Sequence, residues 1–315
     1  MTVPRWVTLL FRAAGLFTLF AVIGGSLVAA TESGFECGNW PGCDVDAILP
    51  GGVVNEWLYR NPWIEMGHRA SAILSGPLAL LSAVVVSRMR GVHPLAKVLP
   101  WVTVVGAFIA GFVGRGIVLG EVYPTWVGAL DLGAALGALV AMTTATILLE
   151  RTPAQWFASR AGLLAWGPVG TLFVMHLTSL WAAGPSSFTR VVSWPVWNIV
   201  HADATGSFAA QVARFPLVAV AVVLIVLAAR EARALGLRAE GWTALGFAAA
   251  CLLFGAIIGF TGTDALGVPL AMCAVGTFFT MTLIAARSSV LATATPSRGM
   301  TDTTPASEAR GTARP

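Results

Sequence analysis

The sequence predicts an all-α integral membrane protein with eight transmembrane helices in two pseudo-repeated four-helix bundles, and with both termini in the cytoplasm. Of its 315 residues, 57% are hydrophobic and only 11% are charged, whereas a soluble domain has about 25% charged residues. A chain this apolar cannot keep a soluble surface. Apolar runs of roughly 20 residues recur along it, each long enough to cross a hydrocarbon core about 30 Å thick.

Each predicted span is an apolar run between polar or proline-containing linkers. Prolines stand just before the second, fourth and sixth runs, at Pro62, Pro124 and Pro195, and a proline is tolerated at the start of a helix. After the last run, residues 288–315 are rich in Thr, Ser, Ala, Pro and Arg, so they are expected to form a disordered cytoplasmic tail. The expected spans are 6–30, 64–87, 97–120, 124–149, 160–183, 199–229, 242–261 and 265–287.

Lys and Arg are distributed unequally between alternate linkers, which sets orientation in a membrane. One set of linkers carries only Arg60 and Arg190, while the other set and the two termini carry most of the remaining basic residues. Both termini are therefore expected in the cytoplasm, and the loops near 31–62, 121–124, 184–198 and 262–264 outside. The net charge of +4 accordingly reflects orientation in the lipid bilayer and gives no reason to expect nucleic-acid binding.

A faint internal repeat divides the chain into two halves. The fourth span reads V-G-A-L-D-L-G-A-A from Val127, and the eighth reads V-P-L-A-M-C-A-V-G from Val268. Similarity at a fixed offset is typical of repeated units, although composition alone would also explain a match this weak. The expected domains are an N-terminal half at 1–150 and a C-terminal half at 151–287.

Five chemistry-bearing side chains are expected at a similar depth near the outer face: Glu65, His68, Asp131, His201 and Met272. Ionisable groups inside a span are costly and usually functional or paired. A ligand on the second and fourth helix of each half would hold a haem between helices. The alternatives are histidines that join helices by hydrogen bonds, and a methionine that fills the core.

Two pairings remain open at the same depth. Glu65 and Arg69, at i and i+4, share a helix face and would form an ion pair. Arg115 is expected either to form an ion pair with Asp131, since each alone would be an uncompensated charge, or to contact an anionic group such as a haem propionate. His93 is expected at the cytoplasmic surface, and His176 is expected to pack or to form a hydrogen bond within the fifth span.

The four cysteines fall into two pairs. Cys37 and Cys43 share the long outward loop 31–62, so they are expected in an oxidising compartment and are predicted to form a disulfide. Cys251 and Cys273 lie in apolar spans and are expected to behave as small apolar residues.

The region from Gly24 to Arg69 resembles the haem A synthase family. It reads G-G-S-L-V-A-A-T-E-S-G-F-E-C-G-N-W-P-G-C from Gly24 and W-I-E-M-G-H-R from Trp63. The family pattern is G-G-x-V-R-x-T-x-S-G, then C-x-x-W-P-x-C, then E-x-x-H-R at the start of the second span. The order and spacing agree, and the H-A-D at His201 matches a histidine in the family's sixth span.

The resemblance implies an oxidoreductase that converts the C8 methyl group of haem O to a formyl group, giving haem A for terminal oxidases. It implies haem O as substrate in the N-terminal half, with Glu65 and His68 as catalytic or substrate-binding residues. It implies haem b in the C-terminal half, with His201 as an iron ligand, and a redox role for the cysteine pair. Arg69 is expected to help bind the cofactor.

The implied setting is the cytoplasmic membrane, with the cysteine loop on the outer face. The implied partners are the enzyme that makes haem O, terminal oxidase assembly factors and an electron donor that the sequence does not identify. A homo-oligomer is compatible with the sequence.

This sequence departs from the family where two further histidines are usual, at Asp131 and Met272. His201 with Met272 still forms an established axial pair for haem, so Met272 is predicted as an iron ligand. His68 with Asp131 does not form such a pair, which leaves one iron face open. The alternative function is a non-catalytic haem-binding membrane protein for electron transfer or haem delivery. A transporter built from repeats would not account for the cysteine loop or for E-x-x-H-R.

Overall fold

The computed structural model describes residues 3–51, 57–150, 160–183, 208–261 and 266–291. These ranges contain helices and no strand. The eight helices are α1 (Arg5–Ala30), α2 (Pro62–Arg88), α3 (Pro94–Val118), α4 (Thr125–Glu150), α5 (Arg160–Ala183), α6 (Phe208–Ala234), α7 (Arg238–Thr261) and α8 (Gly267–Leu291). By length and composition, each is able to cross a membrane. The predicted fold class, a multi-pass all-α membrane protein, is confirmed.

Several boundaries differ from the predicted spans by up to five residues, as at the end of α6, which is at Ala234 instead of residue 229. The described part of α6 begins at Phe208, and the residues from 199 to 207 that were predicted to open this span lie outside the described residues. At the other end, α8 continues to Leu291, four residues into the predicted disordered tail. Two of these residues, Ser288 and Ser289, are buried, so packing extends the helix. The remainder of the tail lies outside the described residues.

The starts of α2 and α3 are fixed by side-chain caps. Asn61 accepts a hydrogen bond from the Trp63 N–H at 2.9 Å, and His93 Nδ1 accepts one from the Leu95 N–H at 3.2 Å. Both helices then begin with a proline, which suits the first helical position because its missing N–H would have no partner there. His93, predicted as a surface residue, is half-buried because it caps α3.

Several hydroxyl groups within the spans donate hydrogen bonds to their own helices. The side chains of Thr18, Ser82 and Thr282 donate to the carbonyl four residues earlier at 2.7, 2.7 and 2.9 Å. Polar groups in a membrane span need such internal partners because lipid offers none. These hydroxyls therefore do not by themselves indicate a ligand site.

The helices pack as two closed rings of four. In the N-terminal ring, α1 contacts α2, α2 contacts α3, α3 contacts α4 and α4 returns to α1; the C-terminal ring repeats this order from α5 to α8. Between the rings, α1 packs on α8, α4 packs on α5, and α4 packs on α8. If α1 corresponds to α5 and α4 to α8, the first two of these pairs are equivalent. This is the arrangement that two repeated halves would adopt.

The main hydrophobic core fills the C-terminal ring and extends to α1 and α4 of the N-terminal ring. It includes the fully buried side chains of Leu136 and Leu139 on α4, Leu172 on α5 and Phe278 on α8. This packing fixes α4, α5 and α8 relative to one another. The polar candidates lie away from the centre of this core, toward the end where α2, α4 and α8 begin.

Candidate functional site

His68 on α2 is held by the backbone of α1. Its Nδ1 lies 3.0 Å from the carbonyl oxygen of Ala21. Since a carbonyl oxygen only accepts hydrogen bonds, Nδ1 carries the proton in the neutral ring and Nε2 keeps its lone pair. Histidine ligands of metals are commonly oriented by a second hydrogen bond of this kind. The ring is therefore preset to offer Nε2 as a ligand.

Two glycines of α1 make room for this imidazole. A Cβ atom on Gly24 would lie 3.0 Å from the Cα and Cβ atoms of His68, and one on Gly25 would lie 3.2 Å from Cε1 and 3.7 Å from Nε2. The G-G pair of the sequence motif thus has a steric explanation. It lets α1 and α2 approach closely enough for Ala21 to accept the hydrogen bond from His68.

Asp131 lies at the same level as His68. Each is the seventh residue of its helix, which puts both about 9 Å from the helix start at 1.5 Å rise per residue. The Asp131 side chain is half-buried, and it makes no hydrogen bond or ion pair with any residue that the structure describes. A carboxyl group at this depth with no protein partner is a candidate for contact with a ligand.

Glu65 faces the loop between α1 and α2, which covers residues 31–61. Only 2% of the residue is exposed. One carboxylate oxygen, Oε2, accepts the Cys37 N–H at 2.9 Å, and the other is paired with Arg69. The Glu65–Arg69 ion pair expected from the i,i+4 spacing is present, and both carboxylate oxygens are occupied by these two partners.

Arg69 also faces the loop. Its two terminal nitrogens donate to the carbonyl oxygens of Gly42 at 2.7 Å, of Cys37 at 3.0 Å and of Asn39, and to Glu65. These contacts use all four N–H groups of the two terminal nitrogens. The residue is 6% exposed. Its predicted cofactor-binding role stays a prediction, and these contacts do not favour it.

The loop is closed by the Cys37–Cys43 disulfide, the pair predicted from the sequence. Two buried residues of the T-E-S-G motif tie its ends together. Thr31 accepts the Arg60 N–H at 2.9 Å through its carbonyl oxygen, and Ser33 Oγ accepts the Asn61 N–H at 3.0 Å. No role was predicted for Thr31 and Ser33 from the sequence, because hydrogen bonds to the backbone of a distant segment leave no sequence pattern.

The Arg115–Asp131 ion pair is not formed, and this expectation is corrected. Arg115 stands in the last turn of α3 and is exposed. Its guanidinium carbon lies 6.0 Å from the centre of the Trp40 ring in the α1–α2 loop. An arginine near a helix end extends readily toward the interface, which explains why it turns away from Asp131.

The C-terminal half is only partly described. His201 lies outside the described residues, so its predicted ligand role is untested. Met272 on α8 is half-buried and packs against the main core, which suits either core filling or ligation. His176 on α5 is buried, with Nδ1 at 2.6 Å from the carbonyl oxygen of Leu172, whereas its Nε2 has no hydrogen-bond partner among the described residues. Arg214 on α6 is also buried.

The described residues fit a haem better than a free metal ion. They contain no group of three or more His, Cys, Asp and Glu side chains able to hold an ion. A haem brings four nitrogen ligands of its own and needs only one or two from the protein. The preset Nε2 of His68 is one such ligand in the N-terminal half.

Three curated relatives match parts of the chain, and all three are named haem A synthase. The chain is 31% identical over 139 residues to that of Geobacillus kaustophilus, covering 44% of this chain and 41% of the relative. It is 24% identical over 169 residues to that of Oceanobacillus iheyensis (53% and 43%). It is 36% identical over 66 residues to that of Bacillus pumilus (20% and 19%).

Each match spans less than half the length of the relative, and no family model matches the chain. The three names agree with the family indicated by the motifs between Gly24 and Arg69. The resemblance seen in the sequence is confirmed: this multi-pass membrane chain is related to the haem A synthases.

Proposed function

We propose that this protein is a haem-dependent oxidoreductase of the haem A synthase type. It would act in the cytoplasmic membrane with the α1–α2 loop on the outer face. Its substrate would be haem O, whose C8 methyl group is oxidised to a formyl group, and its product would supply terminal oxidases. The observation that carries this proposal is His68, with Nδ1 fixed by Ala21 and Nε2 left to bind iron within the E-x-x-H-R motif.

The residues of the N-terminal half would have distinct tasks. His68 would hold the iron of the bound substrate on one side. Asp131, at the same level on α4, would lie near the porphyrin and contact it or a water molecule. The α1–α2 loop, closed by its disulfide, would cover this end of the ring of helices and limit the access of water. Bound haem would supply the oxygen and electron chemistry, and the protein would orient it.

The C-terminal half would hold a second haem, haem b, with His201 and Met272 as ligands. A His/Met pair raises the reduction potential of haem relative to two histidines. A haem b of this kind would carry electrons from the donor toward the substrate. We expect Met272→His to lower that potential, and an unchanged potential would remove Met272 from the ligand set.

The test of the proposed function is conversion of haem O in membranes. The full chain would be co-expressed with an enzyme that makes haem O, and extracted haems would be separated by chromatography. Haem A should appear with the native protein and be lost in His68→Ala. His93→Asn is a suitable control because asparagine also caps a helix and residue 93 is at the opposite end of the ring. Native protein that is inserted and folded but yields no haem A would contradict the proposal.

A second candidate is a non-catalytic haem-binding protein for electron transfer or haem delivery. The carboxyl of Asp131, which has no partner among the described residues, and the core-packed side chain of Met272 favour it, because both stand where the family resemblance implies histidines. Reduced-minus-oxidised spectra of purified protein separate the two. One low-spin haem that is lost in His201→Ala and kept in His68→Ala, with no haem A formed, would support this candidate.

A further inference from the structure

We propose that Glu65 and Arg69 are positioning residues that hold the disulfide-closed loop 37–43 on the start of α2, next to His68, and that neither takes part in proton transfer or haem binding. The proposal deepens the function above, and it rests on that function only in treating His68 as the haem ligand. It changes the role that the family resemblance implies for the E-x-x-H-R residues.

Arg69 makes several hydrogen bonds with the loop. Its two terminal nitrogens donate hydrogen bonds to the carbonyl oxygens of residues 37, 39 and 42. All three residues belong to the segment 37–43 that the disulfide closes. Only a guanidinium, with its planar fork of donors, satisfies several carbonyl groups at fixed angles. A haem propionate would have to displace one of these carbonyls before it could bind the terminal N–H groups.

The second argument is the environment of Glu65. A general acid or base must reach the reacting atom within hydrogen-bond distance or through one water molecule. Glu65 is 2% exposed, and its two oxygens are taken by the Cys37 N–H and by Arg69. The Glu65 carboxylate neutralises the buried Arg69 guanidinium and accepts the hydrogen bond from Cys37, at one end of the segment 37–43. These are structural tasks that leave no free oxygen for a substrate.

The third argument is the position of the pair relative to His68. Residues 65, 68 and 69 are at i, i+3 and i+4 on α2 and therefore lie on neighbouring positions of one helix surface. His68 turns to α1, where Ala21 fixes it, while Glu65 and Arg69 turn to the loop. Adjacent side chains of one helical turn thus make the two sets of contacts: His68 contacts α1, and Glu65 and Arg69 contact the loop. Loss of the pair would release the loop without removing the ligand.

The test measures the dithiol–disulfide equilibrium of Cys37 and Cys43 in the full-length protein. Samples would be equilibrated in dithiothreitol buffers of stepped ratio, and free thiols would be trapped and counted by mass spectrometry of the loop peptide. The contacts with Arg69 favour the loop conformation in which Cys37 and Cys43 are joined by the disulfide. Arg69→Met should therefore shift the equilibrium at least ten-fold toward the dithiol, which is about 30 mV for two electrons.

Graded variants keep the test informative if Arg69→Met does not fold. Arg69→Lys retains the charge but not the planar fork, so it should recover less than half of the shift. Glu65→Gln keeps an oxygen for the Cys37 N–H and should shift the equilibrium less than Arg69→Met. Arg60→Met is the matched control, because Arg60 is in the same loop but its side chain is 71% exposed. Its Nη2 lies 3.7 Å from Glu32 Oε2. It should leave the equilibrium unchanged.

Haem conversion then distinguishes positioning from catalysis. Glu65→Gln should keep part of the haem A yield in membranes, in proportion to the loop that remains oxidised. The proposal is overturned if Glu65→Gln abolishes conversion with an unchanged thiol equilibrium, or if both Arg69 variants leave that equilibrium unchanged. The equilibrium is measured without haem, so a failure of the proposed haem chemistry would not be confused with a failure of this proposal.

Discussion

Enlarging Gly24 should disturb His68 without touching it chemically. A Cβ atom at residue 24 would lie 3.0 Å from the Cα and Cβ atoms of His68 and 3.2 Å from Nδ1, whereas carbon atoms at rest are about 3.5–4.0 Å apart. Helices α1 and α2 must therefore separate locally by roughly 0.5 Å or more. The hydrogen bond from His68 to Ala21, now 3.0 Å, would stretch to about 3.5 Å, which is beyond useful hydrogen-bond geometry.

The expected cost follows from two opposing effects. Replacing glycine by alanine within a helix gains up to about 1 kcal/mol in helix propensity, whereas overpacking a filled interface costs about 1–3 kcal/mol. Gly24→Ala should thus be destabilised by about 0–2 kcal/mol, as the difference between these terms. Gly24→Val adds two further methyl groups and has lower helix propensity, so it should be destabilised by about 3 kcal/mol or more.

Two measurements would be made on the purified protein. The free energy of unfolding would be measured in mixed detergent micelles, and the bound haem would be recorded by absorption spectroscopy. Gly67→Ala and Gly67→Val are the controls. Gly67 is on the same helix as His68, and a Cβ atom at Gly67 would have no neighbouring atom within 4 Å. If Gly24→Val unfolds with the same free energy as Gly67→Val and binds haem like the native protein, the reasoning is refuted.

Three further predictions concern the loop and its neighbours. Ser33→Ala leaves the buried Asn61 N–H without an acceptor and should lower the free energy of unfolding by about 1–3 kcal/mol; proteolysis of the loop at an unchanged rate would argue against this. After reduction, a membrane-impermeant maleimide added to intact cells should label the two loop thiols and neither of the thiols in α7 and α8; labelling only after lysis would reverse the predicted topology. Arg115→Gln and Asp131→Asn should be additive in a double-mutant cycle, because the two side chains form no ion pair; a coupling above about 0.5 kcal/mol would show that they interact.

The fold was predictable because a membrane span depends mainly on its composition. About 20 apolar residues between polar linkers identify a helix that crosses the bilayer, and the described helices agree with that reading. The boundaries were less predictable where packing decides them. The end of α8 is an example, since Ser288 and Ser289 are buried although their composition resembles the polar tail that follows.

The candidate site was predictable in its residue types but less so in its pairings. The i,i+4 spacing of Glu65 and Arg69 indicated their ion pair, and the shared loop indicated the Cys37–Cys43 disulfide. The Arg115–Asp131 pair was wrong because similar depth on two helices does not fix the direction in which a long side chain extends. Contacts between a side chain and a backbone carbonyl, such as the one from His68 to Ala21, leave no sequence pattern of their own.

The closed rings of four helices have a consequence for how this chain changes over evolution. Each ring completes its own circuit of contacts, and among the described residues the main contacts with the opposite ring are made by α1, α4, α5 and α8. A substitution on the inner surface of one ring therefore reaches the other mainly through those four helices. The two halves are free to drift apart chemically while their shared interface stays fixed. Asp131 on α4 and Met272 on α8 are the exception to this independence, because their two helices contact each other between the rings.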